Sequence, residues 1–258
     1  MDSFIALLDG LSPLSGGTNA LLIFLSLITS WITSAFGIGG SALLIMSMAQ
    51  VMPPVAVIPI HGMVQLGANG SRFTMTWRDV DYRRLAAIVP GILIGAAMVS
   101  WLLIRLPPGV LELTIASFMI FMCWGPSLPS CAVGMGGSLV MGALTTFLSS
   151  FVGAAGSIVA AYLKHISPER LVRVATFSAV MSLQHLSKVF IFGFTGFLFL
   201  DWLLLMAAMI GVGFVGTWAG LKVLKKVSNN SFDFVMKVLL TILSIRLLWI
   251  ALEQLVLI

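Results

Sequence analysis

Thr29 to Ser41 reads TSWITSAFGIGGS, and Thr145 to Ser157 reads TTFLSSFVGAAGS. Thr29/Thr145, Ser34/Ser150, Gly37/Gly153, Gly40/Gly156 and Ser41/Ser157 are identical, while Ser30/Thr146 and Thr33/Ser149 exchange one hydroxyl for another. Gly153 follows Gly37 by 116 residues, and the same register pairs Val64 with Val180, Asn69 with His185, Ser71 with Ser187 and Arg72 with Lys188. Further on, Asp81, Leu85, Ala87 and Gly91 match Asp201, Leu205, Ala207 and Gly211 at an offset of 120. A register held through the Gly/Ser motif and the polar positions after it marks an internal repeat, a common feature of secondary transporters. The expected halves are residues 1–126 and 127–258 of one integral membrane unit.

Composition says where those halves reside. The chain has 258 residues, 59% hydrophobic and 9% charged, against about 25% charged in an ordinary soluble domain. Apolar runs at Leu85–Ile104, Val110–Trp124, Trp202–Leu221 and Val235–Leu252 approach the ~20 residues that cross a bilayer as helix. Short segments of alternating polarity, the mark of a membrane β-barrel, are absent. No Lys or Arg precedes Arg72 while Asp2 and Asp9 do, so the first segment is expected to belong to the fold rather than to a signal peptide.

The net charge of +5 comes from residues scattered at the ends of apolar runs. That distribution suits membrane topology and argues against nucleic acid as a partner. Cys123 and Cys131 bracket a short connection; they are expected to be two free, small apolar residues, with a disulfide as the alternative, since nothing else in the chain reads as a disulfide or metal framework.

From Gly17 to Met52, and again from Trp124 to Leu163, no residue is charged, yet each stretch is much longer than one span. Each has glycines near its middle, where the chain can reverse. Each is therefore expected to be a hairpin of two half-helices with its tip at Gly37–Gly40 or Gly153–Gly156. Arg78, Arg83 and Arg84, then Lys164, Arg170 and Arg173, then Lys222, Lys225 and Lys226 form three basic groups. Hairpins that return to their starting face put all three inside, as the positive-inside rule requires; Arg105 alone falls on the other side. The expected fold is an all-α polytopic membrane protein of two inverted repeats. Each is a broken, re-entrant helical hairpin plus three transmembrane helices, with both termini outside.

Broken helices inside hydrocarbon need protein or a water-lined cavity to satisfy their backbone. The helices starting near Ser41 and Ser157 would present free N–H groups toward an anion at the midplane. Hydroxyls of Thr33, Ser34, Ser41, Ser149, Ser150 and Ser157, with the backbone at Gly37, Gly39, Gly40, Gly153 and Gly156, are candidate binding groups. The competing reading is close helix packing, the role also open to Gly91/Gly95 and Gly216/Gly220.

His61, Gln65, Asn69 and Arg72 share one helical face, and Gln184, His185 and Lys188 form its counterpart. Arg72 and Lys188 are candidate anion ligands, with snorkelling to the interface as the alternative. Gln65, Asn69 and His185 join them as binding candidates, and His61 and His185 are candidate proton carriers. Glu112, Asp201 and Glu253 lie near span ends, and no carboxylate cluster suggests a cation site. Neither a Walker motif, HExxH nor a nucleophile elbow occurs, which argues against an enzyme, a bound cofactor or an ATP-driven pump.

FGIGGS at Phe36–Ser41, its echo VGAAGS at Val152–Ser157, the prolines Pro53, Pro54 and Pro168, and the two-half layout resemble the sulfite exporter family, also called TauE/SafE or TSUP. The second motif departs from the fully glycine-rich pattern at Ala154 and Ala155. The resemblance covers essentially the whole chain. It implies a carrier in the bacterial inner membrane, most simply an exporter, for small sulfur-containing anions such as sulfite, sulfoacetate or other organosulfonates. An anion channel, or a carrier for another small carboxylate or oxyanion, is the alternative.

Overall fold

The computed structural model describes residues 8–102, 109–125, 134–153, 155–167, 169–224 and 230–256. Arg105, Cys131, Ala154, Pro168, Lys225 and Lys226, all used above, lie outside the described residues. The first half contributes α1 (Gly16–Phe36), α2 (Gly40–Met48), α3 (Pro54–Thr76), α4 (Tyr82–Leu102) and α5 (Val110–Trp124). The second contributes α6 (Met135–Val152), α7 (Gly156–Ile166), α8 (Arg170–Phe194), α9 (Leu203–Val223) and α10 (Asn230–Val256). Among the described residues there is no strand. The short second helix and the third helix of the second set start 116 residues after their counterparts (Gly40/Gly156 and Pro54/Arg170), and the last two start about 120 after theirs.

Six helical stretches among the described residues are long and apolar enough to cross a membrane: 16–36, 82–101, 135–152, 170–194, 199–223 and 234–255. The chain is a multi-pass membrane protein. The window through α8 is 67% buried, against 28% for those through α4 and α10, so α8 is central and the other two present apolar side chains such as Trp101 and Trp249 outward. α3 falls short of the apolar criterion because its polar stripe lies along it, and that stripe is buried: His61, Gln65, Asn69 and Arg72 are each at most 4% exposed.

The most extensive helix interfaces are α1 with α9, α4 with α6, α3 with α8 and α5 with α10. Exchanging the halves converts the first pair into the second and maps each of the last two onto itself. The halves are thus interlocked, each half's first helix packing on the other's fourth. Small residues permit it. A Cβ on Gly91 would lie 2.0 Å from Leu139 O and one on Gly95 2.5 Å from Ala143 O; on the other side Gly216 would meet Leu27 O at 2.3 Å and Gly220 Trp31 O at 2.5 Å. These four glycines serve helix packing. Gly211, paired with Gly91 by sequence, has nothing within 4 Å.

The two hairpins form where glycine dictates. Gly37 (φ 90°) and Gly153 (φ 77°) end α1 and α6 in the left-handed region, their N–H groups bonded to Thr33 O at 2.9 Å and Ser149 O at 2.8 Å. α2 then folds back so closely that a Cβ on Gly40 would sit 1.9 Å from Thr29 O. The arms are unequal, unlike the expected pair of half-helices. α1 has 21 residues and can span alone, whereas the nine of α2 reach only about 14 Å by helix rise.

Between α3 and α4 the chain returns along α8. Asp81 N donates to Thr176 Oγ1 at 2.9 Å, and Val80 packs with Ala175 and Ala179. The basic groups at 78–84 and 164–173 therefore occupy the same end of the bundle, as the hairpin reading requires. Glu112 is a helix cap: its Oε2 accepts from Gly109 N at 2.8 Å. Cys123 is a buried free thiol.

Candidate functional site

The polar stripes of α3 and α8 face each other across the centre. The helices are antiparallel and cross in ordinary contact at Gly62, where an added Cβ would meet Lys188 Cβ at 3.6 Å. Arg72 lies ten residues beyond Gly62, about 15 Å along the helix. The two cations expected to share one anion site are thus held apart, and the candidate residues separate into two clusters. The reason is register: equivalent positions on antiparallel helices diverge as the distance from the crossing grows.

The first cluster belongs wholly to the first half. Arg72 Nε donates to Ser34 Oγ at 3.0 Å and Nη1 to Asn69 Oδ1 at 3.0 Å. Asn69 Nδ2 in turn donates to Gln65 O at 2.9 Å and Gln65 Oε1 at 3.2 Å. Thr33 Oγ1 is committed to Thr29 O at 2.9 Å. Arg72 is 1% exposed, so it does not snorkel.

The second cluster draws on both halves. Lys188, fully buried, reaches Gly153 O at the second hairpin tip at a long 3.5 Å. His61, from the first half, sets Nε2 3.1 Å from Ser41 O and 3.3 Å from Ser41 Oγ. Its Nδ1 lies 3.7 Å from where a Cβ on Gly153 would be. The His61 and His185 rings meet edge to face at 5.9 Å. Gln184 Nε2 donates to Thr145 Oγ1 at 2.8 Å. Among the described residues, His61 Nδ1, Gln184 Oε1 and both ring nitrogens of His185 are buried without a hydrogen-bond partner.

Ser149 and Ser150 are not drawn to a cation. Their hydroxyls donate back to Thr146 O at 3.3 and 2.9 Å, so Ser150 does not repeat the bond of Ser34 to Arg72. Gly39 (φ 100°) and Gly156 precede and open the two short helices. Among the described residues neither Arg72 nor Lys188 has a carboxylate within ion-pair distance, whereas Arg84 pairs with Asp81 at 4.0 Å.

Sequence patterning missed a cavity of about 300 Å³ between the first hairpin tip and α7 and α8. Gly37, Ser157, Lys164, Arg170, Arg173 and Phe177 are among its lining residues. It is cationic, and Phe177 in its lining packs with Met181 against Gly156, whose Cβ would meet Phe177 Cζ at 3.3 Å and Met181 Cε at 3.5 Å. Phe177, Met181, Gln184/His185 and Lys188 follow one another at helical spacing. That face of α8 runs from the cavity to the second cluster, a signal that was present in the sequence but masked by the apolar character of its first two members.

Comparison with curated proteins and with solved structures returned no match. The family profile described as Sulfite exporter TauE/SafE matches residues 22–247, a span that contains both hairpin tips, both clusters and the cavity. The chain belongs to the sulfite exporter TauE/SafE family of membrane transporters for sulfur anions such as sulfite.

Proposed function

We propose that this protein is a secondary carrier that exports a small sulfur-containing anion, such as sulfite, sulfoacetate or a related organosulfonate, across the bacterial inner membrane. The observation that carries this reading is a pair of fully buried cations, Arg72 and Lys188, neither with a carboxylate partner among the described residues, each beside a broken-helix tip. An uncompensated buried cation is costly, and an anion lowers that cost by binding. The two halves lie inverted in the membrane, each exposing its tip to one side in turn, with the cationic cavity as the cytoplasmic approach.

Export needs no enzymatic step and no coupling cation, because an inside-negative potential drives each negative charge outward by about 2.3 kcal/mol per 100 mV. Binding groups are supplied by the tips at Ser34, Gly37, Gly39, Gly40 and Ser41 and at Gly153, Gly156 and Ser157, while the hydroxyl hydrogens of Thr33, Ser149 and Ser150 are donated to backbone carbonyls. Gln65, Asn69 and His185 complete the set, with His61 and His185 as candidate proton carriers.

The test is uptake of labelled sulfite and sulfoacetate into proteoliposomes, with membrane potential and pH gradient set independently. Saturable flux that follows the potential is expected. Flux that fails to saturate indicates a channel, and no flux above protein-free vesicles with folded protein overturns the reading.

A further inference from the structure

The cluster at the second hairpin tip contains more than an anion needs. Two Ser41 oxygens face His61 Nε2, the carbonyl at 3.1 Å and the hydroxyl at 3.3 Å; the nearer one can only accept, which assigns the hydrogen to Nε2 and leaves Nδ1 of the neutral ring a bare lone pair. That lone pair is buried, has no partner and lies beside Gly153. His185 has no partner on either nitrogen, so its neutral ring offers one N–H and one lone pair. Lys188 offers three N–H groups, with Gly153 O at 3.5 Å as its single acceptor among the described residues. All three side chains are 0% exposed.

An ionised sulfonate brings acceptors only. It can take the N–H groups of Lys188 and His185 but leaves two ring lone pairs buried and unpaired, which is unfavourable. An oxyanion that retains one proton brings a donor as well. We infer that the Lys188–His185–His61 cluster is a binding site for a small oxyanion in its singly protonated form, hydrogen sulfite rather than an organosulfonate. The anion's oxygens accept from Lys188 Nζ and the His185 N–H, and its O–H donates to His61 Nδ1 or the His185 lone pair. This rests on the transport reading above and adds which sulfur anions the site prefers. Arg72, already bonded to Ser34 and Asn69, serves here as a positioning residue for the first tip.

The experiment is competition for labelled sulfite uptake in proteoliposomes of the full chain at neutral pH. Unlabelled sulfite, selenite (which also retains an O–H) and methanesulfonate (which has none) are the competitors. Selenite is expected to compete within about threefold of sulfite, and methanesulfonate at least about tenfold more weakly, as the loss of one buried hydrogen bond requires. His61→Leu and His185→Leu should each narrow the gap between sulfite and methanesulfonate. Equal competition by methanesulfonate in the wild-type chain overturns the inference whether or not the variants fold, and so does an unchanged gap in both folded variants. Absence of any sulfite uptake by the wild-type chain instead defeats the transport reading, and this inference falls with it.

Discussion

Arg72 Nε donates to Ser34 Oγ at 3.0 Å, tying the last turn of α3 to α1 one turn before Gly37. Its repeat counterpart, Lys188, makes no such bond because the Ser150 hydroxyl is turned back on Thr146 O at 2.9 Å. Two positions in one register thus have different chemistry: a guanidinium held from two directions, and an ammonium with most of its donors uncommitted.

Arg72→Gln should therefore affect both stability and transport. It removes two buried hydrogen bonds and leaves Ser34 and Asn69 short of a partner, a loss of about 1–3 kcal/mol per group. Thermal unfolding in detergent should show a clear fall in Tm, and sulfite flux should be abolished. Lys188→Gln should abolish flux with a much smaller change in Tm, and equal Tm losses in the two variants would contradict the assignment.

Gly40→Ala and Gly211→Ala make a contrasting pair. A Cβ at Gly40 collides with backbone, Thr29 O at 1.9 Å, whereas one at Gly211 meets nothing within 4 Å. The first should prevent the hairpin from closing and yield little folded protein. The second should be neutral or stabilising by about 0.4–1 kcal/mol, as a helical glycine replaced by alanine, read by size-exclusion recovery and Tm.

Phe177→Ala should widen the passage between the cationic cavity and the buried face of α8. Phe177 lines the cavity and packs against Gly156, so its removal should raise sulfite flux and weaken discrimination between sulfite and larger sulfonates. Unchanged flux and selectivity in folded protein would remove Phe177 from the path.

Arg83→Cys and Lys164→Cys, in a background with the native cysteines replaced by serine, should behave alike toward an impermeant thiol reagent. Both positions are exposed and belong to basic groups at one end of the bundle. Both should be protected in intact cells and labelled in inside-out vesicles. Labelling from opposite sides would be incompatible with this packing.

Much of this was legible along the chain because it is local. Hydrocarbon requires long apolar helices, and a chain reversal at positive φ requires glycine, so the membrane helices, the repeat and the breaks at Gly37 and Gly153 follow from residue order. The burial of the α3 stripe and the packing role of Gly91, Gly95, Gly216 and Gly220 were readable as alternatives, since small-residue spacing and polar spacing each admit two uses.

What only the tertiary structure decided is which residues meet. Repeat register makes Arg72 and Lys188 equivalent, but the antiparallel crossing of α3 and α8 at Gly62 holds them apart and carries His61 from the first half to His185 and Gly153 of the second. The sequence by itself determined two hairpins, a membrane fold and two cations in repeat register; that both are buried was decided by the tertiary structure. Their division into a closed Arg72 cluster and an under-satisfied Lys188 cluster, and the cavity leading inward past Phe177, come from packing between the halves. No periodicity within either half encodes that packing.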